Sequence, residues 1–191
     1  MKKVFLFAAI AALSACNSGT DTKDDSMGSM SPDSTKKEDI VYSYPVLYNN
    51  VEMGDAKYGQ TIVNIWKVWD SGDLSGMKDV FADSVELNFW DGSSIKGSRD
   101  SVLTAVQSFR NNFSSVKSSI NAVVSIKGTN KITNQAENWI AIWGKEISTT
   151  KNGKTDSIWL HEAWRINKDG KVDLANQFAS VIPKPPTAKS K

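Results

Sequence analysis

Between residues 55 and 180 the apolar positions follow two periods, and the changes of period mark the elements. Tyr58, Ile62, Ile65, Trp66 and Trp69 recur at helical spacing. Asp55 stands before them as an N-cap and Ser71-Gly72 closes the run. Asp73 opens a second, short helix with Leu74, Met77 and Phe81 on one face. Val85, Leu87 and Phe89 alternate with Glu86 and Asn88, which predicts a strand. Asp91-Gly92 is a turn and Gly97 a break. From Ser98 or Arg99 a third helix puts Val102, Leu103, Val106, Phe109 and Phe113 on one face. Four strands follow. Lys117–Lys127 sets Ile120, Ala122, Val124 and Ile126 on one face. Ala136–Ile147 is apolar on both faces from Trp139 to Trp143. Ser157–Asn167 follows the Lys151–Lys154 turn, and Val172–Ser180 follows Lys168-Asp169-Gly170. Helices gathered ahead of a β meander predict an α+β domain.

The ends read differently. Met1-Lys2-Lys3 precedes ten apolar residues, Val4 to Leu13, too few for the roughly 20 that span a bilayer. This is the pattern of a removable export signal. It ends Leu13-Ser14-Ala15-Cys16, which resembles the lipobox of bacterial lipoproteins. The resemblance implies cleavage before Cys16 and acylation of its thiol. Residues 1–15 are thus expected to be a signal peptide and 16–39 a lipidated flexible tether, too poor in apolar residues to offset ordering. Lys23-Asp24-Asp25 resembles the export triplet of surface lipoproteins in Bacteroidetes and equally suits an ordinary linker. Residues 40–54, interrupted by Pro45, are expected to form an N-terminal arm on the domain edge. Residues 55–182 make the domain, and the proline-rich 183–191 a disordered tail.

Composition narrows the chemistry. The 23 basic and 21 acidic side chains give no bias toward nucleic acid. One cysteine and one histidine exclude a Cys₄ zinc site, a disulfide framework and a three-histidine metal centre. No metal or cofactor is expected, and contact with a membrane is expected through the lipid anchor alone. The sequence contains no phosphate loop, HExxH motif or nucleophile elbow. Asn112-Phe113-Ser114 matches a glycosylation sequon by chance, and Met27 and Met30 lie in the tether.

Trp69-Asp70-Ser71-Gly72-Asp73-Leu74, followed by Phe81-Ala82-Asp83-Ser84-Val85, resembles the opening of the SnoaL-like, NTF2-like superfamily. Asp91-Gly92 with Gly97, and Trp164-Arg165-Ile166-Asn167 with Asp169-Gly170-Lys171-Val172, resemble its later hairpins. The resemblance covers roughly residues 55–180. It implies a cone, a curved antiparallel sheet wrapped around three helices, with an apolar pocket. Isomerases of this family use a general-base carboxylate, a tyrosine and a protonated acid. The resemblance places the base at Phe89, or at Asn88 after a shift of one, the tyrosine at Ile65 and the acid at Glu162. Without a base, isomerase chemistry is not expected.

Parity places Ile158, Leu160, Glu162, Trp164 and Ile166 on the concave face, and Trp159, His161, Ala163 and Arg165 on the convex face. Glu162 is the one candidate acid, base or ligand hook, its pKa raised if buried. A place at a wet pocket mouth or beside a cation remains open. Trp66, Phe89, Phe109, Phe113, Trp143, Glu162 and Trp164 are the expected pocket lining. Because Ala136–Ile147 is apolar on both faces, the convex face is expected to be covered too, by a second copy as a homodimer or by the arm. Three readings follow. The first is a noncatalytic cell-envelope lipoprotein, at the outer membrane or cell surface, binding a small apolar or amphipathic molecule. The second is an isomerase, cyclase or hydrolase using Glu162. The third is an interaction module with a closed pocket.

Overall fold

A computed structural model describes residues 42–180. The signal peptide, Cys16, the tether and the tail after residue 182 lie outside the described residues. The elements are β1 (Tyr48–Met53), α1 (Ala56–Ser71), a 3₁₀ turn (Ser75–Met77), β2 (Phe81–Asn88), β3 (Ser94–Ser98), α2 (Arg99–Arg110), β4 (Phe113–Asn130), β5 (Gln135–Thr150), β6 (Thr155–Ile166) and β7 (Val172–Ser180). The strands form one sheet in the order β1-β4-β5-β6-β7-β2-β3. Every pairing is antiparallel except β2 with β7, which is parallel.

Local chemistry sets the helix limits. The Asp55 side chain accepts from the Lys57 N–H at 2.9 Å, satisfying one of the free donors at the start of α1. Gly72 ends α1 with φ +87°, a conformation in which a side chain would be strained. Ser98 accepts from the Ser101 N–H at the start of α2.

Three expectations change here. The second helix is a single 3₁₀ turn, so the sheet wraps two α-helices rather than three. Asp73 accepts from the Ser75 N–H at 3.0 Å, and the stretch to Phe81 is too short for a longer helix. Leu74 and Met77 still enter the core. Phe113 is not on the third helix. That helix stops at Arg110, whose side chain turns inward, and Phe113 opens β4. Third, β4 has a bulge between Ile120 and Ala122. An extra residue reverses the facing of everything beyond it. Ile120 pairs with Gly144 toward the helices, whereas Ala122, Val124 and Ile126 pair with Trp143, Ala141 and Trp139 on the outer face.

The core lies between α1, α2 and the inner sheet face. Ile62, Ile65 and Trp66 of α1 meet Ile140 and Ile142 of β5 and Leu160, Trp164 and Ile166 of β6, all buried. Burying such side chains contributes about 1.5–3 kcal/mol each. Val102 and Leu103 of α2 close the cluster from the other side. The arm supplies edge strand β1. Its Tyr48 lies edge-on to Trp139, 6.3 Å between ring centres, and donates to Glu137 at 2.8 Å.

Candidate functional site

The site grows from one face of α1 and one face of β6. Trp66 lies on the buried side of α1, and its indole N–H donates to Glu162 Oε2 at 2.7 Å. Trp164, two residues along β6 from Glu162, donates to the same oxygen at 2.9 Å. Gln177 of β7, paired opposite Glu162, donates its amide to Oε1 at 2.8 Å. Both carboxylate oxygens are therefore held by neutral donors, and the residue is only 6% exposed. Burial pushes the Glu162 carboxyl above the usual carboxylate range. The three hydrogen bonds, from Gln177, Trp66 and Trp164, pull it back in part.

Trp66 packs directly onto β5. Its six-membered ring lies against Gly144 so closely that a Cβ there would sit 2.7 Å from it. Trp66 and Trp164 are 6% and 8% exposed, and Ile140 and Ile142 are fully buried beneath them. Two hollows of the described residues lie at the surface, away from this cluster. One, of about 530 Å³, is an open groove between Lys57, Tyr58 and Thr61 of α1 and the Lys168-Asp169-Gly170 turn. The other, about 120 Å³, lies between α1 and the 3₁₀ turn, beside Ile65, Val68, Met77 and Val80. Neither is lined by a residue of β4, β5 or β6.

The residues expected around one pocket divide among different places. Trp66, Glu162 and Trp164 meet in the interior. Phe89 follows β2, half-buried against the core. Phe109 is 57% exposed at the end of α2, stacked on Trp69 and edge-on to Phe113. Trp143 is on the outer face, because β5 alternates and the inward positions are Ile140, Ile142 and Gly144. There it stacks on His161 at 4.7 Å. Asn88, the other position for a base, turns outward to Asn176 at 3.0 Å, and Ile65 is core.

Sequence reasoning missed a second carboxyl. Trp69, one turn beyond Trp66, donates to Glu146 Oε2 of β5 at 2.8 Å. Burial raises the Glu146 carboxyl, Trp69 opposes, and the charges of Glu162 and Asp70 raise it further. Arg110 was missed as well. The last residue of α2, buried against the end of α1, it donates to the carbonyls of Trp69 (2.7 Å), Asp70 (3.0 Å) and Phe113 (3.3 Å). The first two belong to the last turn of α1, where helix carbonyls run out of intrahelical donors, and the Trp69 carbonyl also accepts from the Gly72 N–H at 3.2 Å. The tryptophans at i and i+3 were a usable signal, since a buried indole N–H needs an acceptor. Arg110 had no such signal. Among the described residues no three His, Cys, Asp or Glu side chains gather as a metal site.

No protein-family model matches the sequence, and no curated protein matches it. Solved structures do. An NTF2-like protein from Burkholderia pseudomallei K96243 aligns with a TM-score of 0.51 at 14% identity, over 66% of this chain and 92% of that one. A protein with a cystatin-like fold from Caulobacter vibrioides gives 0.53 at 10% identity, over 66% and 89%. An LEH-like epoxide hydrolase from M. tuberculosis gives 0.50 at 10% identity, over 65% and 84%. The chain therefore carries a domain of the NTF2-like, SnoaL-like fold.

Proposed function

We propose that this is a noncatalytic interaction domain, held at the bacterial cell envelope by an acylated Cys16, that works through its outer sheet face. One observation carries the reading: the cone interior is filled by Trp66, Trp164 and Glu162, both indoles donating to the one carboxylate. A general base needs a substrate proton within reach. Glu162 is sealed behind two indoles, with Gln177 on its other oxygen. A ligand pocket of ordinary size, about 300 Å³ or more, would require Trp66 to leave Gly144. The epoxide-hydrolase activity of a structural neighbour belongs to that protein, and fold alone carries no chemistry across.

The test is an NMR titration of the folded protein with laurate and with 1-anilinonaphthalene-8-sulfonate. The indole N–H signals of Trp66 and Trp164 report the interior directly. They are expected to stay in place throughout. Saturable shifts of both signals would overturn the closed-interior reading. The anchor has its own test: incorporation of labelled palmitate is expected in the native chain and absent in Cys16→Ala.

A further inference from the structure

The outer face of the sheet is divided by chemistry, and the half toward the β5–β6 turn is aromatic. Trp143 of β5, His161 of β6 and Phe178 of β7 stand side by side across paired strands. Trp143 stacks on His161 at 4.7 Å, and His161 lies 5.7 Å from Phe178. Strand alternation puts Ile147 and Trp159 on this same face. Trp143, Ile147, Trp159 and Phe178 are 39%, 41%, 44% and 56% exposed. The arm, whose Tyr48 reaches Trp139, leaves these side chains uncovered.

The same half is basic. Lys117 pairs opposite Ile147, and the Lys145 ammonium lies 5.7 Å from the centre of the Trp159 ring. Lys151 and Lys154 stand in the β5–β6 turn. Among the described residues none of these four lysines forms an ion pair. The carboxyls nearby are directed elsewhere. Glu146 turns inward to Trp69. Asp156 sits opposite Ser148, at an inward position of β6, and accepts from the Ser157 N–H at 2.9 Å. β7 ends at Ser180, paired with Trp159, and the eleven residues after it carry three lysines and no acid. The other half of the face is neutralised: Arg165 is held by Asp173 and Lys96 by Glu86, each at 2.8 Å.

We infer that this aromatic and basic half of the outer face docks on the surface of an anionic phospholipid bilayer. The inference rests on the reading that the domain acts through its outer face, and it names the partner. It adds a second membrane contact to the one expected from the lipid anchor. Side-chain type is the first argument. Indoles settle at the boundary of headgroups and acyl chains, where one end of the ring stays wet and the other is apolar. Trp143, Trp159, Phe178 and Ile147 offer such a row on adjacent strands. Lysine stems lie along apolar surface while their ammonium groups reach outward. Charge is the second argument. Clustered lysines without carboxylates are attracted to anionic headgroups. A second copy laid on this face would instead set Lys117 and Lys145 against lysines of the same sign. Supply is the third. Acylation at Cys16 would keep the domain beside a bilayer, which makes docking an intramolecular step at high effective concentration.

The experiment is quenching of tryptophan fluorescence by lipid brominated on its acyl chains. All seven tryptophans lie between residues 66 and 164, so the anchor segment itself gives no signal. The full chain is added to vesicles of phosphatidylglycerol mixed with brominated phosphatidylcholine, and to vesicles of brominated phosphatidylcholine alone. Emission is expected to fall on the anionic vesicles, to fall far less on the neutral ones, and to recover in raised salt. Trp143→Phe combined with Trp159→Phe is expected to remove the loss. Trp90→Phe, at a 49% exposed position after β2, is expected to keep it. Lys117→Gln combined with Lys145→Gln is expected to lower the ratio of docked to free domain about tenfold or more. Circular dichroism melts check that each variant is folded, and leucine replaces phenylalanine in the double tryptophan variant if that one is not. Unquenched emission on anionic vesicles overturns the inference. So does quenching that survives loss of both ladder tryptophans or ignores the lipid charge. These results stand apart from the other readings: palmitate incorporation judges the anchor, and the Trp66 and Trp164 indole signals judge the closed interior, whatever the vesicles show.

Discussion

Glu162→Gln isolates the charge at the centre of the cone. In the folded chain burial raises the Glu162 carboxyl above its ordinary value, which in the unfolded chain is about 4.3. The folded protein thus keeps a proton that the unfolded chain releases. Stability from this group is full below about pH 4.3 and falls as pH rises toward the folded value, then levels off. The slope is at most about 1.4 kcal/mol per pH unit for one proton. Glutamine is neutral at every pH. Its oxygen can accept both indoles, and its amide can donate to Gln177 once that amide turns over. Glu162→Gln is therefore expected to match the native chain near pH 4 and to exceed it increasingly toward neutral pH. Glu146, raised in the same direction, is present in both proteins, and loss of the Glu162 charge relaxes it further. Glu162→Ala is different in kind. It leaves Trp66 Nε1, Trp164 Nε1 and Gln177 Nε2 without an acceptor, at about 1–3 kcal/mol for each buried orphan. Set against a total stability of about 5–15 kcal/mol, that variant is expected to fold poorly or not at all. Urea unfolding followed by circular dichroism, from pH 4 to pH 8, separates these cases. A difference between Glu162→Gln and native that ignores pH, or one that favours native as pH rises, refutes the reasoning.

Other perturbations address how the interior is filled. Trp66→Ala is expected to lose about 3–5 kcal/mol and to open a cavity beside Gly144. Added indole should then raise its melting temperature, and the native chain's should not change. Gly144→Ala puts a methyl 2.7 Å from both the Trp66 ring and the Ser119 carbonyl oxygen. Overpacking of that kind costs about 1–3 kcal/mol, read as a lowered urea midpoint, and an unchanged midpoint would mean that Trp66 does not press on this strand. Arg110→Leu removes a charged donor from the carbonyls of Trp69, Asp70 and Phe113. Hydrogen bonds to charged groups are worth about 1.5–3 kcal/mol, so a loss of several kcal/mol is expected in urea melts, and a loss under 1 kcal/mol would refute the capping role.

Periodicity is a local property, and what depends on it was legible in the chain. Asp55 and Gly72 bound α1 because capping involves only neighbouring backbone. The opposite facing of Glu162 and His161 follows from the two-residue repeat of an unbroken strand. β7 matches its sequence reading from Val172 to Ser180 because polar turn residues mark its start. Where a strand is bulged or rich in serine, the same logic fails. β4 begins at Phe113 behind Ser114, Ser115, Ser118 and Ser119, and its bulge turns Ala122, Val124 and Ile126 outward. Residue type alone keeps Asn88 and Phe89 from serving as a base, since neither accepts a proton near neutral pH.

The state of the site was decided elsewhere. Whether a cone holds a pocket or a plug depends on which side chain of α1 stands over which residue of β5. Trp66 and Gly144 are far apart in the chain, and no spacing rule relates them. The same holds for Glu162, whose three donors come from α1, β6 and β7, and for Glu146, made a buried acceptor by Trp69. Alternation along one strand fixes the face on which a side chain lies. Only the packing of distant elements fixes what that face meets, because close packing is settled by atoms the chain brings together from afar.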